Sequence, residues 1–329
     1  MSGFVRGRDF RQRPTEAAAR FVLLALALLF APPRAWAQGS WQSRAPMPSS
    51  RTEVAAVALR GKIYVIGGFG ANGELVEEYD PAADRWRRRA PLPLALHHVG
   101  AAALGDKIYV IGGYDASWRP LDLVFEYDPA LDRWRKRAAM PTARGALAAA
   151  VIGDAVFAVG GVGTSGRNTG ANERYDPAQD AWTRRAPLRA ARDHLAMGSV
   201  GGKLYAIGGR LVGNYARNLA VNEEYDPASD RWRYRAPVPT ARSGIAAAVL
   251  GGKIFVFGGE SVTGTFNHNE SYDPAANAWQ SWARMPTARH GLGAAVIGNT
   301  IYVISGGPKP GGSFSAVNEA FTPWDAGAR

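Results

Sequence analysis

Residues 61–86, GKIYVIGGFGANGELVEEYDPAADRW, decide the fold, because close copies of this stretch recur to the C-terminus. It holds a four-residue apolar run (Ile63 to Ile66), a Gly pair (Gly67, Gly68), a Tyr-Asp-Pro (Tyr79, Asp80, Pro81) and Trp86. Later Gly pairs stand at 112/113, 160/161, 208/209, 258/259 and, with an inserted Ser305, 306/307. With Ser305 taken as the equivalent of Gly67, the spacings are 45, 48, 48, 50 and 47 residues. A Tyr-Asp-Pro follows each pair at Tyr79, Tyr127, Tyr175, Tyr225 and Tyr272 and degenerates to Phe321-Thr322-Pro323. The first five copies then carry Trp86, Trp134, Trp182, Trp232 and Trp279. Strand-rich repeats of this length are propeller blades, so the chain reads as an all-β, six-bladed propeller.

Each copy reads as four strands, labelled a to d. Strand a is small and apolar (Val54 to Leu59, Leu147 to Ile152, Ile245 to Leu250), which suits the crowded wall of a central channel. Strand b is the Ile-Tyr-Val-Ile run, apolar on both faces as a central strand requires. The Gly pair lets the backbone leave strand b without a Cβ penalty. Strand c ends at the Tyr, and strand d turns its Trp inward and Arg85, Arg87 and Arg89 outward, where charge protects an edge. The sixth copy has no d strand of its own. A spare one lies near the other terminus, since residues 41–48 (WQSRAPMP) match residues 86–93 (WRRRAPLP). Trp41 to Ala45 is therefore expected to close the ring beside Ala316 to Phe321. The blades are placed at residues 50–93, 94–141, 142–189, 190–239, 240–286 and 287–323 plus 41–45, within one domain of residues 38–329.

Residues 1–37 read as a secretory signal peptide. Arg6, Arg8, Arg11, Arg13 and Arg20 form a basic n-region, Phe21 to Phe30 an apolar stretch, and Ala35-Trp36-Ala37 a small-residue cleavage site. The apolar stretch is shorter than the roughly 20 residues of a spanning helix, so no stable membrane span is expected after cleavage. Loss of the segment's six Arg and two acids lowers the formal charge from +11 to +7. A secreted or periplasmic monomer is the expectation. The chain has no Cys, which excludes disulfides, thiolate metal sites and a Cys nucleophile.

With Gly-Gly, Tyr-Asp and Trp in that order in each copy, preceded by a Met/Leu-Pro and an Arg, the chain resembles the Kelch-repeat family from Trp41 to Pro323. The resemblance implies a propeller that binds partners through its loops. Some Kelch-like propellers are copper oxidases of sugars that use a Tyr cross-linked to Cys, which a chain without Cys cannot build. Others in the periplasm interconvert anomers of sialic acid, using an Arg to hold a carboxylate and an acid-base group nearby.

Aligned on the Gly pair, Arg51, Leu96, Arg144, Arg192, Arg242 and Arg289 share one position before strand a. A ring of arginines at a channel mouth reads as an anion-binding site. Strand c carries its own repeated charge at Glu77, Phe125, Glu173, Glu223, Glu270 and Glu319, and the second copy loses Arg and Glu together. That joint loss is what a buried ion pair inside each blade predicts, because such a pair is more cheaply replaced whole than broken.

The next two strand-a positions are not repeated and are freer for function: Thr52-Glu53, His97-His98, Gly145-Ala146, Asp193-His194, Ser243-Gly244 and His290-Gly291. They share a face with the variable b-to-c loops, which hold Asp115, Trp118 and Arg119, Arg167 and Asn168, Arg210, Asn214, Tyr215 and Arg217, Glu260, Phe266 and His268, and Lys309 and Phe314. Glu53, Asp193 and His194 are the candidate acid-base groups. His97, His98, His194 and His290 raise the question of a metal, but no ligand spacing is shared and the blades that carry them are separated around the ring, so neither metal nor cofactor is expected. The basic strand-d runs lie on the outer rim, and edge protection accounts for them without nucleic acid. The leading expectation is a protein- or carbohydrate-binding module acting through the loop face. The alternative is a mutarotase- or epimerase-like enzyme of an acidic sugar. A pocket that clusters Glu53, Asp193, His194 and His98 with arginines favours an enzyme, and a broad aromatic-rimmed surface favours a protein binder.

Overall fold

Alternation of apolar residues in strand b with the Tyr of strand c and the Trp of strand d gives each copy two faces to bury, so the copies stack. In the computed structural model, which describes residues 1–4, 39–70 and 72–323, six four-stranded antiparallel sheets carry out that stacking. Residues 5–37 of the expected leader lie outside the described residues. Blade I comprises Ala55–Leu59, Lys62–Ile66, Val76–Asp80 and Arg85–Arg88 as strands a to d. Blades II to V repeat that order. No helix among the described residues is long and apolar enough to cross a membrane.

Blade VI takes strands a to c from Gly293–Ile297, Thr300–Ile304 and Asn318–Thr322 and its d strand from Ser40–Ser43. Trp41 pairs with Phe321 in the register in which Trp86 pairs with Tyr79. The ring centroids are 4.9 Å apart in both pairs. The closing strand predicted from Trp41 to Ala45 is thus present, starting one residue earlier and ending two residues earlier.

The repeated residues join one blade to the next. Each strand-d indole Nε1 donates to a carbonyl just past the d strand of the neighbouring blade. Trp86 reaches Ala45 at 2.9 Å, Trp134 reaches Ala90 at 2.9 Å, and Trp41 closes the circle on Ala283 at 2.8 Å. The Gly pair serves the same seam. Gly68 N–H donates to the Leu96 carbonyl at 2.9 Å, and a Cβ on Gly67 (φ +66°) would stand 2.5 Å from that oxygen. Ser305 occupies the Gly67 position at φ 64°, and its hydroxyl donates to the Arg51 carbonyl at 2.5 Å. The side chain that intrudes there is absorbed as a hydrogen bond.

The outer arginines differ from the sequence expectation. Arg89 donates to the Tyr127 hydroxyl (2.8 Å) and the Pro129 carbonyl (2.5 Å) of blade II, and Arg137 and Arg235 repeat this with Tyr175 and Tyr272. They stitch blades, whereas Arg85 and Arg88 stay exposed on the edge.

Candidate functional site

Two backbone features bring the non-repeated residues to the axis. In most blades the first variable strand-a position bridges to the residue just after the Gly pair: Thr52 with Phe69, His97 with Tyr114, Asp193 with Arg210, Ser243 with Glu260 and His290 with Gly307. The second variable position is left-handed in every blade, with φ of 54° at Glu53, 54° at His98, 56° at Ala146, 51° at His194, 63° at Gly244 and 59° at Gly291. These six are chained by backbone hydrogen bonds, from His98 N–H to the Glu53 carbonyl (3.2 Å) through to Gly291 N–H on Gly244 (2.9 Å), and Val54 N–H closes the circle on Gly291 (3.4 Å). Four of the six are not glycine, and left-handed backbone in side-chain-bearing residues costs about 1–2 kcal/mol each.

The inward ends of the blades therefore meet. The sequence reading set the histidines apart around the ring; the structure brings those of blades II, IV and VI to one carboxylate. His98 Nε2 lies 3.4 Å from Glu53 Oε2 and His290 Nε2 3.8 Å from Glu53 Oε1. His194 Nδ1 is 2.5 Å from Asp193 Oδ1, and its Nε2 accepts from Arg210 at 2.7 Å. Arg210 also donates to Glu260 Oε1 at 2.5 Å, and Glu260 Oε2 accepts from Gly311 N–H at 2.8 Å. Blade III has only Gly145 and Ala146 at the two variable strand-a positions and reaches the cluster through Asn168, which donates to Asp193 Oδ2 at 2.5 Å, so the cluster is lopsided.

Burial alone would raise the Glu53 carboxyl, but the imidazoles of His98, His194 and His290 and the Arg210 guanidinium outweigh it and hold the group at about 2. Burial likewise opposes ionisation of Asp193, and the His194 contact, Gly213 N–H and Asn168 amide bring it to about 2. Burial pushes His97 down to about 4 and His98 well below the ordinary imidazole value. The mouth therefore holds ionised Glu53 and Asp193, while burial opposes charge on His97 and His98.

Above this floor is a cavity of about 470 Å³ lined by Glu53, His98, Trp118, Arg210, Tyr215, Glu260 and His290, with Phe69 and Phe314 on its rim. Phe69 stacks on His97 at 3.8 Å between centroids and lies 5.1 Å from Trp118, which is 56% exposed. Arg210 sits over the Tyr215 ring at 5.7 Å. A narrower channel of about 150 Å³, walled by strand-a alanines, continues below and shares Glu53 and His98 with the cavity.

The remaining sequence candidates lie elsewhere. Arg51, Arg144, Arg192, Arg242 and Arg289 are fully buried inside their blades, paired to Glu77, Glu173, Glu223, Glu270 and Glu319 at 2.5–2.8 Å. An anion-binding ring needs free guanidiniums; these are spent on glutamates and on backbone carbonyls such as Ala206 and Gly208. Arg119 is exposed and paired with Asp115, and Arg217 is exposed on Asn214–Asn218. Phe266 and His268 contact each other at 5.3 Å and do not line the cavity. His97, Asp193 and His194 stand behind the lining residues. Phe314, one of the loop aromatics named from the sequence, does line the cavity, whereas Phe69 was not singled out as a site residue. Phe69 holds the same place after a Gly pair as Arg210 and Glu260, a signal the alignment contained.

The family model for the Kelch motif matches residues 50–93, 95–141, 143–189, 191–239 and 241–286. The chain belongs to the Kelch-repeat family. Membership supports a binding-module role for this Kelch propeller, whose loops stand on a rigid ring. No curated protein is detectably similar to it in sequence. Among solved structures that share the fold, one described as "Structure of YjhT" superposes with a TM-score of 0.73 at 15% identity, over 83% of this chain and 95% of that one. At that identity the likeness concerns the fold alone.

Proposed function

We propose that this Kelch propeller binds a neutral carbohydrate in the cavity at the channel mouth. The observation that carries the reading is the pairing of an aromatic rim (Phe69, Trp118, Tyr215, Phe314) with a floor of carboxylates and one guanidinium (Glu53, Glu260, Arg210). Sugar rings offer an apolar face that packs on aromatic rings, and hydroxyls that bridge planar carboxylate and guanidinium groups. The volume lies within the ~300–1,000 Å³ of small-ligand clefts, and the aromatic side chains converge in a concavity, whereas a protein partner covers roughly 800 Å² per side of a broader surface. The charge balance favours a neutral ligand: Arg210, the lining guanidinium, is already held by Glu260, and Glu53 is ionised.

The position of Glu53 favours a second reading, an enzyme that interconverts anomers or epimers of an acidic sugar, with Glu53 as base and Arg210 leaving Glu260 to hold the sugar carboxylate. A thermal-shift screen of the full chain against neutral sugars, acidic sugars and no ligand separates the two. Stabilisation by neutral sugars supports the carbohydrate module. Stabilisation by an acidic sugar alone supports the enzyme, and no shift with any sugar overturns both in favour of a protein partner. Export, with cleavage after Ala37 and a monomeric product, belongs to the same proposal and rests on the basic, apolar and small-residue succession of residues 1–37. Sequencing from the amino terminus of the expressed protein then reads Gln38 first; retention of Met1 contradicts it.

A further inference from the structure

The hydrogen-bond pattern behind the cavity floor fixes which imidazole nitrogens face it. His290 Nδ1 lies 3.1 Å from the Gly307 carbonyl, which only accepts, so Nδ1 donates there and Nε2 is the nitrogen turned to the floor. His97 Nε2 lies 3.1 Å from the Asp115 carbonyl and must donate to it. His97 Nδ1 is then the acceptor in its 2.6 Å contact with His98 Nδ1, which leaves His98 Nε2 facing the floor as well. Both Nε2 atoms face carboxylate oxygens: His98 toward Glu53 Oε2 (3.4 Å), and His290 toward Glu53 Oε1 (3.8 Å) and Glu260 Oε2 (3.6 Å). No direct hydrogen bond spans these gaps, and two carboxylates that converge on one buried imidazole need positive charge between them. His290 and Glu260 side chains are 1% and 2% exposed and Glu53 12%.

A cation resolves this arrangement. Bonds of about 2.0–2.2 Å from one ion to carboxylate oxygen and imidazole nitrogen place neighbouring ligand atoms about 3.4 Å apart, close to the separations seen. We propose that Glu53, Glu260 and His290 bind a divalent first-row transition-metal ion at the channel mouth, with a coordination position open to the cavity. All three ligand atoms lie within 4.8 Å of one another. Their outer partners are in place: Gly307 orients His290, and Gly311 N–H and Arg210 hold Glu260, Arg210 on the oxygen turned from the ion. A second grouping, Glu53 with His98 and His194, meets the same distance criterion, but His194 Nε2 is already taken by Arg210. Two oxygens and one nitrogen suit Zn²⁺ or Mn²⁺; Ca²⁺ requires six to eight oxygens.

The inference does not depend on the carbohydrate reading, and its test contains no sugar. The untagged full chain, stripped with chelator and dialysed, is titrated calorimetrically with ZnCl₂, MnCl₂ and CaCl₂. One Zn²⁺ per chain is expected, with no Ca²⁺ binding. Glu53→Gln and His290→Ala should each weaken Zn²⁺ at least tenfold, and His268→Ala should leave it unchanged. Absence of Zn²⁺ and Mn²⁺ binding overturns the site, as does binding that survives Glu53→Gln, which keeps side-chain volume and is checked for folding by its melting curve. Metal binding without a sugar response retires the carbohydrate reading and retains this one.

Discussion

A guanidinium with no exposed surface needs acceptors in place of water. Each nitrogen of Arg192 finds one, among Glu223 (2.6 Å) and the carbonyls of Ala190, Ala206 and Gly208. Leu96 and Phe125 fill the same volume in blade II as buried apolar residues of one core cluster. Arg192→Leu should therefore destabilise by about 3–5 kcal/mol, since it strands a buried carboxylate, and Arg192→Leu with Glu223→Phe by clearly less. Denaturant melts of the two variants decide; equal losses contradict the pairing. This pair was legible in the sequence because one repeat lost both partners together. The assignment of the same arginines to ligand binding was not excluded by the sequence, since a repeated charge near a channel mouth and a repeated charge inside a blade leave the same pattern.

At the scale of the element, the c–d turns of blades I to IV are each pinned by a carboxylate. Tyr79 donates its hydroxyl to Asp84 Oδ1 at 2.5 Å, Tyr175 to Asp180 at 2.5 Å and Tyr225 to Asp230 at 2.6 Å, and the same oxygens accept N–H groups of the neighbouring blade. The tyrosine hydrogen bond lowers the Asp84, Asp180 and Asp230 carboxyls below their ordinary values. Depressed carboxyls contribute stability that is complete above the unfolded value, about 3.9, and is lost as pH falls through the lower folded value. Blade V uses Asn277 in this role. Replacing Asp84, Asp180 and Asp230 with Asn should thus flatten the acid limb of the stability curve and lower the acid-unfolding midpoint; an unchanged midpoint contradicts the attribution. The left-handed ring gives a second test. Ala146 holds φ 56° where blades V and VI have glycine, so Ala146→Gly should stabilise by about 0.5–1 kcal/mol, read as a rise in melting temperature. Strand order and turns were legible because Gly, Tyr and Trp recur at fixed offsets. The blade-bridging role of Arg89 and Arg137 was not, because an outward arginine reads the same whether it meets solvent or the next blade.

For the whole molecule, closure and convergence follow from one geometry. Ser40–Ser43 completes blade VI, so one sheet ties residues near both ends of the propeller and seals the ring with the Trp41 indole. Deleting residues 38–48 should collapse thermal stability, as measured by calorimetric melting; a truncated chain that melts like the intact one contradicts the closure. This was legible from the match of residues 41–48 to residues 86–93. The meeting of Glu53, His98, His194, Glu260 and His290 was not, because sequence spacing records which blade carries a residue and not how near the axis it sits. Strand a lies at that axis, where residues from different blades come within hydrogen-bond distance. The central claim is that the aromatic-rimmed cavity above this cluster takes a neutral sugar. It is tested most directly by calorimetric titration of neutral mono- and disaccharides into the full chain and into Trp118→Ala. The account predicts saturable binding to the intact chain, weakened at least tenfold by loss of the indole, with both proteins melting alike. Absence of binding by any neutral sugar, or binding indifferent to Trp118→Ala, would contradict it.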